Sequence, residues 1–359
     1  MYPINVVIIL GSLVIGGAEN MVYELARKLD KTKVNAIVIS LSSRIGNDLE
    51  KKFDVAKIPV KYIDVHGHIT IGKLLKVNRE INKLQPQVIH AHMSGVAYSI
   101  LWSLFHNNKL VVTAHTTPDK AFNRRTTAVL RILARLKKVV LVGVSEENRA
   151  LMLKAYGVSE KSVICINNGV DIKRYYHKEH ENVTFINVGR HDKNKNQQEI
   201  IRQFAKLHTK YKNMSLILCG DGTEFHNNKA LAEQLGVKDS VLFAGNVPNV
   251  QDYLAQADIY VQASHREGLP LTTIEAVASG LPIIATDGGG IKNIVRENGL
   301  LIPDDDAEQL YLAMEKLFLD KSIREKYAEV SLQIAEEYSS DNMANRYTDV
   351  YLSCIKERG

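Results

Sequence analysis

The chain has 359 residues, which at roughly 150 residues per domain is enough for about two domains. Apolar residues make up 45% and charged residues 24%, a globular composition that excludes wholesale disorder, a collagen-like fibre and a disulfide-stapled miniature. The net charge of +6 hides a split: residues 1–176 hold 26 Lys+Arg against 13 Asp+Glu (+13), and residues 177–359 hold 20 against 27 (−7). Such a split suggests that one half faces something anionic, a membrane or a nucleic acid.

The N-terminal stretch Met1–Ala18 carries no side-chain charge, yet it lacks a basic leader, its apolar run Val6–Leu10 is short, and Gly11, Ser12, Gly16 and Gly17 break up the segment beyond that run. It reads as a buried strand entering a glycine loop, in a cytosolic protein without a transmembrane span. Cys165, Cys219 and Cys354 are far apart and form no CxxC or Cys/His zinc spacing, which fits reduced thiols.

In chain order the first half alternates strand and helix. Asn5–Leu10 is a strand, Glu19–Leu29 a helix with Met21, Val22, Leu25, Ala26 and Leu29 on one face, and Val34–Leu41 a strand. Ile71–Leu84 is a helix, and Val88–Ala91, Leu110–Ala114 and Val139–Val144 are short strands. After Asn167–Asp171 and a polar linker over 175–182, the pattern restarts. Phe185–Val188, Leu216–Leu218, Val241–Phe243, Ile259–Val261 and Ile283–Ala285 read as strands, separated by helices at Gln197–Tyr211, Glu224–Leu235, Val250–Gln256 and Thr272–Ser279. Val/Ile-rich strands alternating with helices indicate parallel sheets covered on both faces. Periodicity therefore predicts two doubly wound domains, with ligands beyond the carboxyl ends of the strands.

Three loops at such strand ends carry chemistry. The first, Gly11 to Ala18, leads into a helix near Glu19; its glycines allow close backbone approach and a helix N-terminus favours anions, although a tight turn would look the same. Gly11 and Gly16 are five apart, so no GxGxxG dinucleotide fingerprint is present. The second runs Gly189-Arg190-His191-Asp192-Lys193-Asn194-Lys195, where a guanidinium and an ammonium could grip a diphosphate; two solvated surface charges are the alternative. The third runs from His265 to Ala276 and contains Glu267 and Glu275. A helix starting near Leu271 would aim free N–H groups at a phosphate, with Glu275 able to accept hydrogen bonds from vicinal hydroxyls.

At this third motif the sequence resembles the retaining, nucleotide-sugar-dependent glycosyltransferases of the GT-B fold, glycosyltransferase family four. The pattern is two glutamates separated by seven residues, a small-residue helix, Gly-x-Pro, a strand and paired glycines: Glu267, Glu275, Ala276–Ser279, Gly280-Leu281-Pro282, Ile283–Thr286 and Gly288-Gly289. Further landmarks keep the family's order: Gly16–Glu19, His90-Ala91-His92, His115, Asn168–Asp171, Gly189-Arg190 with Lys195, and Gly220-Asp221-Gly222.

The resemblance implies an α/β protein with two Rossmann-like domains facing across a cleft. An N-terminal acceptor domain would span 1–172, with a final helix over about 341–359 packing back onto it, and a C-terminal donor domain would span 173–340. It implies that Arg190 and Lys195 bind the donor diphosphate and stabilise charge on the leaving nucleotide. Glu275 would hold the ribose, Glu267 would lie by the donor sugar, and His115 would hydrogen-bond to it. Gly16, Gly17, Gly189, Gly220, Asp221, Gly268, Leu269, Leu271 and Thr272 would complete the donor-binding set. The reaction would be metal-independent hexosyl transfer to a glycan or lipid-linked hydroxyl, by front-face displacement without a carboxylate nucleophile. No cofactor is expected beyond the nucleotide sugar as co-substrate, with UDP-sugar favoured. Spacing alone would have suggested a glycosidase carboxylate pair. Thr116 stands where many members have an acidic or aromatic residue.

His90 and His92 flank Ala91 on a strand; a metal pair is conceivable, but polar strand-end residues on the acceptor side are preferred for want of a third ligand. Asp304–Asp306 reads as a helix start rather than a metal site. The charge split gains a role from Arg124, Arg125, Arg131, Arg135, Lys137 and Lys138, interleaved with apolar residues, and from Lys73, Lys76, Arg79 and Lys83. They suit docking on an anionic membrane surface at the cytosolic face, in a bacterial glycan pathway. Two rivals remain: a sugar-nucleotide epimerase of the same fold, which would act on donor alone, and a non-catalytic anionic-surface binder. No nucleic-acid-reading module supports nucleic acid as a partner.

Overall fold

The computed structural model describes residues 2–14, 16–65, 67–106, 109–116, 118–178, 180–267 and 269–356. Ile15 of the first glycine loop and Gly268 of the third motif thus lie outside the described residues. The chain divides into two compact units, Met1–Gly169 with Ser340–Gly359, and Val170–Ser339.

The first unit opens with β1 (Ile4–Leu10), α1 (Gly17–Lys28), β2 (Val34–Ser40), α2 (Asp48–Val55), β3 (Val60–Tyr62), α3 (Ile71–Lys83) and β4 (Val88–His92). It continues with α4 (Gly95–Phe105), β5 (Lys109–Ala114), the single turn α5 (Pro118–Ala121), α6 (Arg124–Arg135), β6 (Val139–Gly143), α7 (Glu146–Tyr156) and β7 (Val163–Cys165). The second unit comprises β8 (Val183–Val188), α8 (Gln197–Lys210), β9 (Met214–Cys219), α9 (Phe225–Gln234), β10 (Val241–Gly245), α10 (Val250–Leu254) and β11 (Ile259–Gln262). It closes with α11 (Leu271–Ala278), β12 (Ile283–Thr286), β13 (Gly299–Ile302), α12 (Ala307–Leu319) and α13 (Lys321–Glu337), before α14 (Ser340–Lys356).

In the first unit seven parallel strands lie in the order β3-β2-β1-β4-β5-β6-β7. Alternate side chains of β1 serve opposite cores, as the two-residue period of a strand requires. Val6, Ile8 and Leu10 join Met21, Val22 and Leu25 of α1, Phe53 of α2, and Tyr347 and Tyr351 of α14. Val7 and Ile9 join Val77 and Ile81 of α3, Trp102 of α4, Leu130 and Leu133 of α6, and Met152 of α7. The last helix is held on this unit by Lys28 Nζ to Asp341 Oδ2 at 2.8 Å, and by the Arg346 guanidinium donating to the Cys165 carbonyl at 2.6 Å.

The second unit holds six parallel strands in the order β10-β9-β8-β11-β12-β13, with Phe185, Phe204, Leu216 and Met314 in one core and Ile186, Tyr260, Ile274 and Ile283 in the other. The Val170 N–H donates to the Tyr338 carbonyl at 2.9 Å, and Val170 pairs with Ser339, so the chain enters and leaves this unit at adjacent points.

The strands and helices read from periodicity are all present, with ends shifted by a residue or two. Elements that the sequence pattern did not mark include the three-residue strands β3 and β7 at the two edges of the first sheet, and α4. Helix α4 (GVAYSILWSLF) is apolar nearly throughout and shows no helical stripe to read.

Candidate functional site

The expected strand-end loops of the second unit converge by backbone bonding. After β8, the Gly189 N–H donates to the Cys219 carbonyl at 3.0 Å and the His191 N–H to the Asp221 carbonyl at 3.0 Å, joining this loop to the one after β9. A Cβ on Gly220, whose φ is +123°, would stand 2.0 Å from the Gly189 carbonyl oxygen; only glycine permits that approach. The His265 N–H donates to the Asn194 carbonyl at 2.9 Å and Asn194 Nδ2 to the Arg266 carbonyl at 3.0 Å, which ties in the loop after β11. The loop after β12 closes the group: Glu267 bridges to Gly289, and a Cβ on Gly289 (φ +78°) would lie 1.9 Å from the Glu267 carbonyl oxygen.

On this scaffold Lys195 Nζ meets Glu267 Oε1 at 2.5 Å, with side chains only 20% and 12% exposed. The pair brings together two residues 72 positions apart that the motifs had marked separately. Lone removal of either partner would leave a partly buried charge without its complement. Asp192, unmarked in the sequence, organises the cations: Oδ2 accepts from Arg190 Nε at 2.8 Å and Oδ1 from the Lys195 N–H at 3.1 Å. The Arg190 side chain is 78% exposed, free to turn from Asp192 toward an anion.

Helix α11 begins at Leu271, as expected, and Pro270 precedes it with no side-chain cap. Its first-turn N–H groups have no side-chain acceptor, and that of Thr273 donates to the Pro270 carbonyl at 3.1 Å. Thr272 Oγ1 accepts from Tyr260 O–H at 3.0 Å, and burial pushes that phenol well above its ordinary range, so it stays a donor. Thr273 donates to Gln262 Oε1 at 2.5 Å, Leu269 is buried, and Asp221 Oδ1 accepts from the Gly222 N–H at 2.7 Å. Glu275 Oε1 accepts from Tyr175 O–H at 3.0 Å. Tyr175 sits in the stretch read as linker, 100 residues from Glu275, and nothing local in the sequence marks it.

In the first unit Gly16 and Gly17 stand at the start of α1, which also lacks a side-chain cap. Burial raises the Glu19 carboxyl above its usual range. His115 directly follows β5, and its Nε2 lies 2.8 Å from Nδ1 of His92. His90 and His92 are fully buried rather than presented at the strand end: Tyr351 O–H and Thr113 Oγ1 each lie 2.7 Å from a ring nitrogen of His90. The third histidine beside this pair is His115, which the sequence reading places by the donor sugar and not with His90 and His92. Two nitrogens 2.8 Å apart are hydrogen-bonded to each other, closer than the ~3.3 Å that tetrahedral zinc ligands keep.

Elsewhere, Asp306 caps α12 by accepting from the Gln309 N–H at 2.9 Å, while Asp304 Oδ1 lies 2.9 Å from His265 Nδ1. Of the basic residues on and after α6, Arg131 donates to the Ala155 carbonyl at 2.8 Å and Lys138 to that of Leu104 at 3.4 Å. Arg124, Arg125 and Lys137 are exposed, beside exposed Ile132 and Leu136. Phe105, at the end of α4 on the same sheet face, is 79% exposed. No helix among the described residues is long and apolar enough to cross a membrane.

Comparison with known proteins gives the class. Residues 15–174 match the family model described as Glycosyltransferase Family 4, and residues 170–332 that described as Glycosyl transferases group 1. The putative glycosyltransferase EpsD of Bacillus subtilis is 32% identical over 160 residues, which span 44% of this chain and 42% of that protein. The O-antigen biosynthesis glycosyltransferase WbnH of Escherichia coli is 25% identical over 355 residues, 97% of this chain and 99% of its own length. The crystal structure of Anabaena HepE in complex with UDP superposes with a TM-score of 0.82 at 18% identity, covering 98% of this chain and 100% of that one. Two doubly wound parallel sheets and these matches make the chain a glycosyltransferase of the GT-B type. Within that type it is a family-four-like enzyme.

Proposed function

We propose that the enzyme transfers a hexosyl group from a UDP-sugar to a hydroxyl of a glycan or lipid-linked acceptor, with retention at the anomeric carbon and without a metal ion. The observation that carries this reading is the Lys195–Glu267 ion pair, set between converging strand-end loops beside the uncapped N-terminus of α11. Lys195, Arg190 and the first-turn N–H groups supply positive charge where a diphosphate leaves. Glu275, oriented by Tyr175, accepts from the ribose hydroxyls, and Glu267 lies toward the sugar. As the bond from C1 to the phosphate oxygen breaks, the acceptor oxygen bonds to C1 on the same face. The acceptor proton passes to the departing phosphate oxygen. The UDP complex of the similar Anabaena protein supports the choice of base, and the E. coli relative's O-antigen role supports the acceptor class.

The enzyme works at the cytosolic membrane face, through the side of the first unit where Arg124, Arg125 and Lys137 stand beside exposed Ile132, Leu136 and Phe105. Basic and apolar side chains together suit an anionic lipid interface. The direct test of the whole reading is nucleotide release with a panel of UDP-, GDP- and ADP-sugars, with and without a lipid-linked glycan, and then NMR of the product anomer. Inversion of configuration, or dependence on added divalent cation, would refute the mechanism; release from none of the donors would refute the function.

A further inference from the structure

The polar interior of the first unit contains an arrangement that the proposed reaction does not by itself explain. His90 and His92 project to the same side of β4, the central strand, with ring centroids 4.1 Å apart. Behind them Tyr351 of α14 bonds His90, and Thr113 of β5 bridges His90 to the Tyr347 hydroxyl, at 2.7 and 2.9 Å. In front, His92 Nδ1 meets His115 Nε2 at 2.8 Å. The second nitrogen of His92, Nε2, is buried and has no hydrogen-bond partner among the described residues. His115 is only partly buried, and its Nδ1 has no partner among the described residues.

These contacts constrain where the protons sit. An imidazole pair joined by one hydrogen bond has two neutral arrangements. In one, His92 carries its proton on Nε2, leaving a buried N–H with no acceptor, and among backbone groups orphaned buried donors are rarer than under-satisfied acceptors. In the other, His92 carries it on Nδ1 and donates to His115 Nε2, so that only a lone pair is unmatched. His115 must then hold its own proton on Nδ1, its outward nitrogen. Burial keeps all three rings below the usual imidazole range, with His115 at about 4, so the neutral forms are the relevant ones.

We propose that His92 is a positioning residue that locks His115 in the Nδ1–H tautomer, making His115 a hydrogen-bond donor toward an oxygen of the bound sugar, with His90, Thr113, Tyr347 and Tyr351 holding His92 in place. The donor role toward a sugar rests on the glycosyltransferase reading; the tautomer does not. His115 thus accepts from the protein behind it and offers N–H to a ligand oxygen in front, and a hydroxyl or ring oxygen accepts without any charge being moved.

The test is long-range ¹H–¹⁵N NMR of the full chain with ¹⁵N-labelled histidine, with the His115 signal assigned from a His115→Gln variant. The expected wild-type spectrum shows His115 protonated on Nδ1; protonation on Nε2 overturns the proposal without recourse to any variant of His92. In His92→Leu, His115 should revert to the Nε2–H form that an unconstrained imidazole side chain favours, and an unchanged tautomer there overturns it as well. Kinetics are then measured with whichever nucleotide sugar of the panel is turned over. His92→Leu should lower kcat about tenfold, the weight of one lost oriented hydrogen bond, and leave nucleotide affinity unchanged. An equal loss in both quantities would show a merely structural role. If no donor is turned over by the wild type, the glycosyltransferase reading falls while the tautomer result stands on its own.

Discussion

The two units use charge in opposite ways. In the second, Lys195 and Glu267 are drawn together at the strand ends and largely covered, with Arg190 tethered nearby by Asp192. In the first, the ends of β4 and β5 carry imidazoles that burial keeps neutral, while Arg124 and Arg125 stand in solvent on the outer helix α6 and Lys137 just beyond it. Charge built into a loop lattice is oriented before a ligand arrives and needs no reorganisation when a phosphate departs. Charge on an exposed helix acts at a distance, weakly per residue and subject to salt. The first arrangement suits a group that must be gripped as it changes charge, the second a surface that must be found.

The sharpest way to break this contrast is to remove the oriented cation. Lys195→Ala should lower turnover by roughly 10²–10³-fold, with circular dichroism showing the fold retained. Turnover within a few-fold of wild type would mean that the ion pair serves loop packing alone. Acid tests the neutral side. Unfolded imidazoles titrate near 6.5, whereas burial holds His90 and His92 far lower and His115 at about 4, so below 6.5 the unfolded chain binds the extra protons. Stability that is complete above pH 6.5 should therefore drain away as pH falls toward 4, by up to about 1.4 kcal/mol per pH unit for each histidine. Urea midpoints that stay level from pH 7 to pH 5 would contradict this. Glu275→Gln should weaken UDP binding about fivefold by calorimetry, because a neutral acceptor replaces a charged one at the ribose. The smallest effects belong to the outer helix: Arg124→Ala and Arg125→Ala should each weaken binding to anionic vesicles by no more than about 1 kcal/mol, fading as salt rises. Binding that ignores salt would place lipid contact elsewhere.

Legibility in the sequence divides along the same line. The Glu267–Glu275 spacing and the start of α11 were readable because one continuous segment contains strand end, loop and helix. Lys195 and Glu267 could be marked but not paired, since that requires β8 beside β11 in the sheet. The histidine assembly was unreadable for a stronger reason. It needs His92 opposite Thr113 across β4 and β5, and a tyrosine 261 residues beyond His90. Likewise, no local pattern separates Tyr175 from other tyrosines in a polar stretch. Of the ten basic residues that suggested a membrane face, Arg131, Arg135, Lys138, Lys73 and Lys76 turn out to donate to backbone carbonyls.

The return of α14 to the first unit has a consequence for how the protein is made. Tyr347 and Tyr351, with Met343, Ala344 and Cys354, belong to a core whose remaining residues run from Ile4 to Ile166, whereas the second unit is contiguous from Val170 to Ser339. A nascent chain therefore has everything its later unit needs before its earlier unit can close, reversing the usual order in which N-terminal domains finish first. Until the last helix leaves the ribosome, the face of β1 and β4 that it covers stays open and His90 lacks its tyrosine, so quality control would meet a half-built first unit attached to a finished second one.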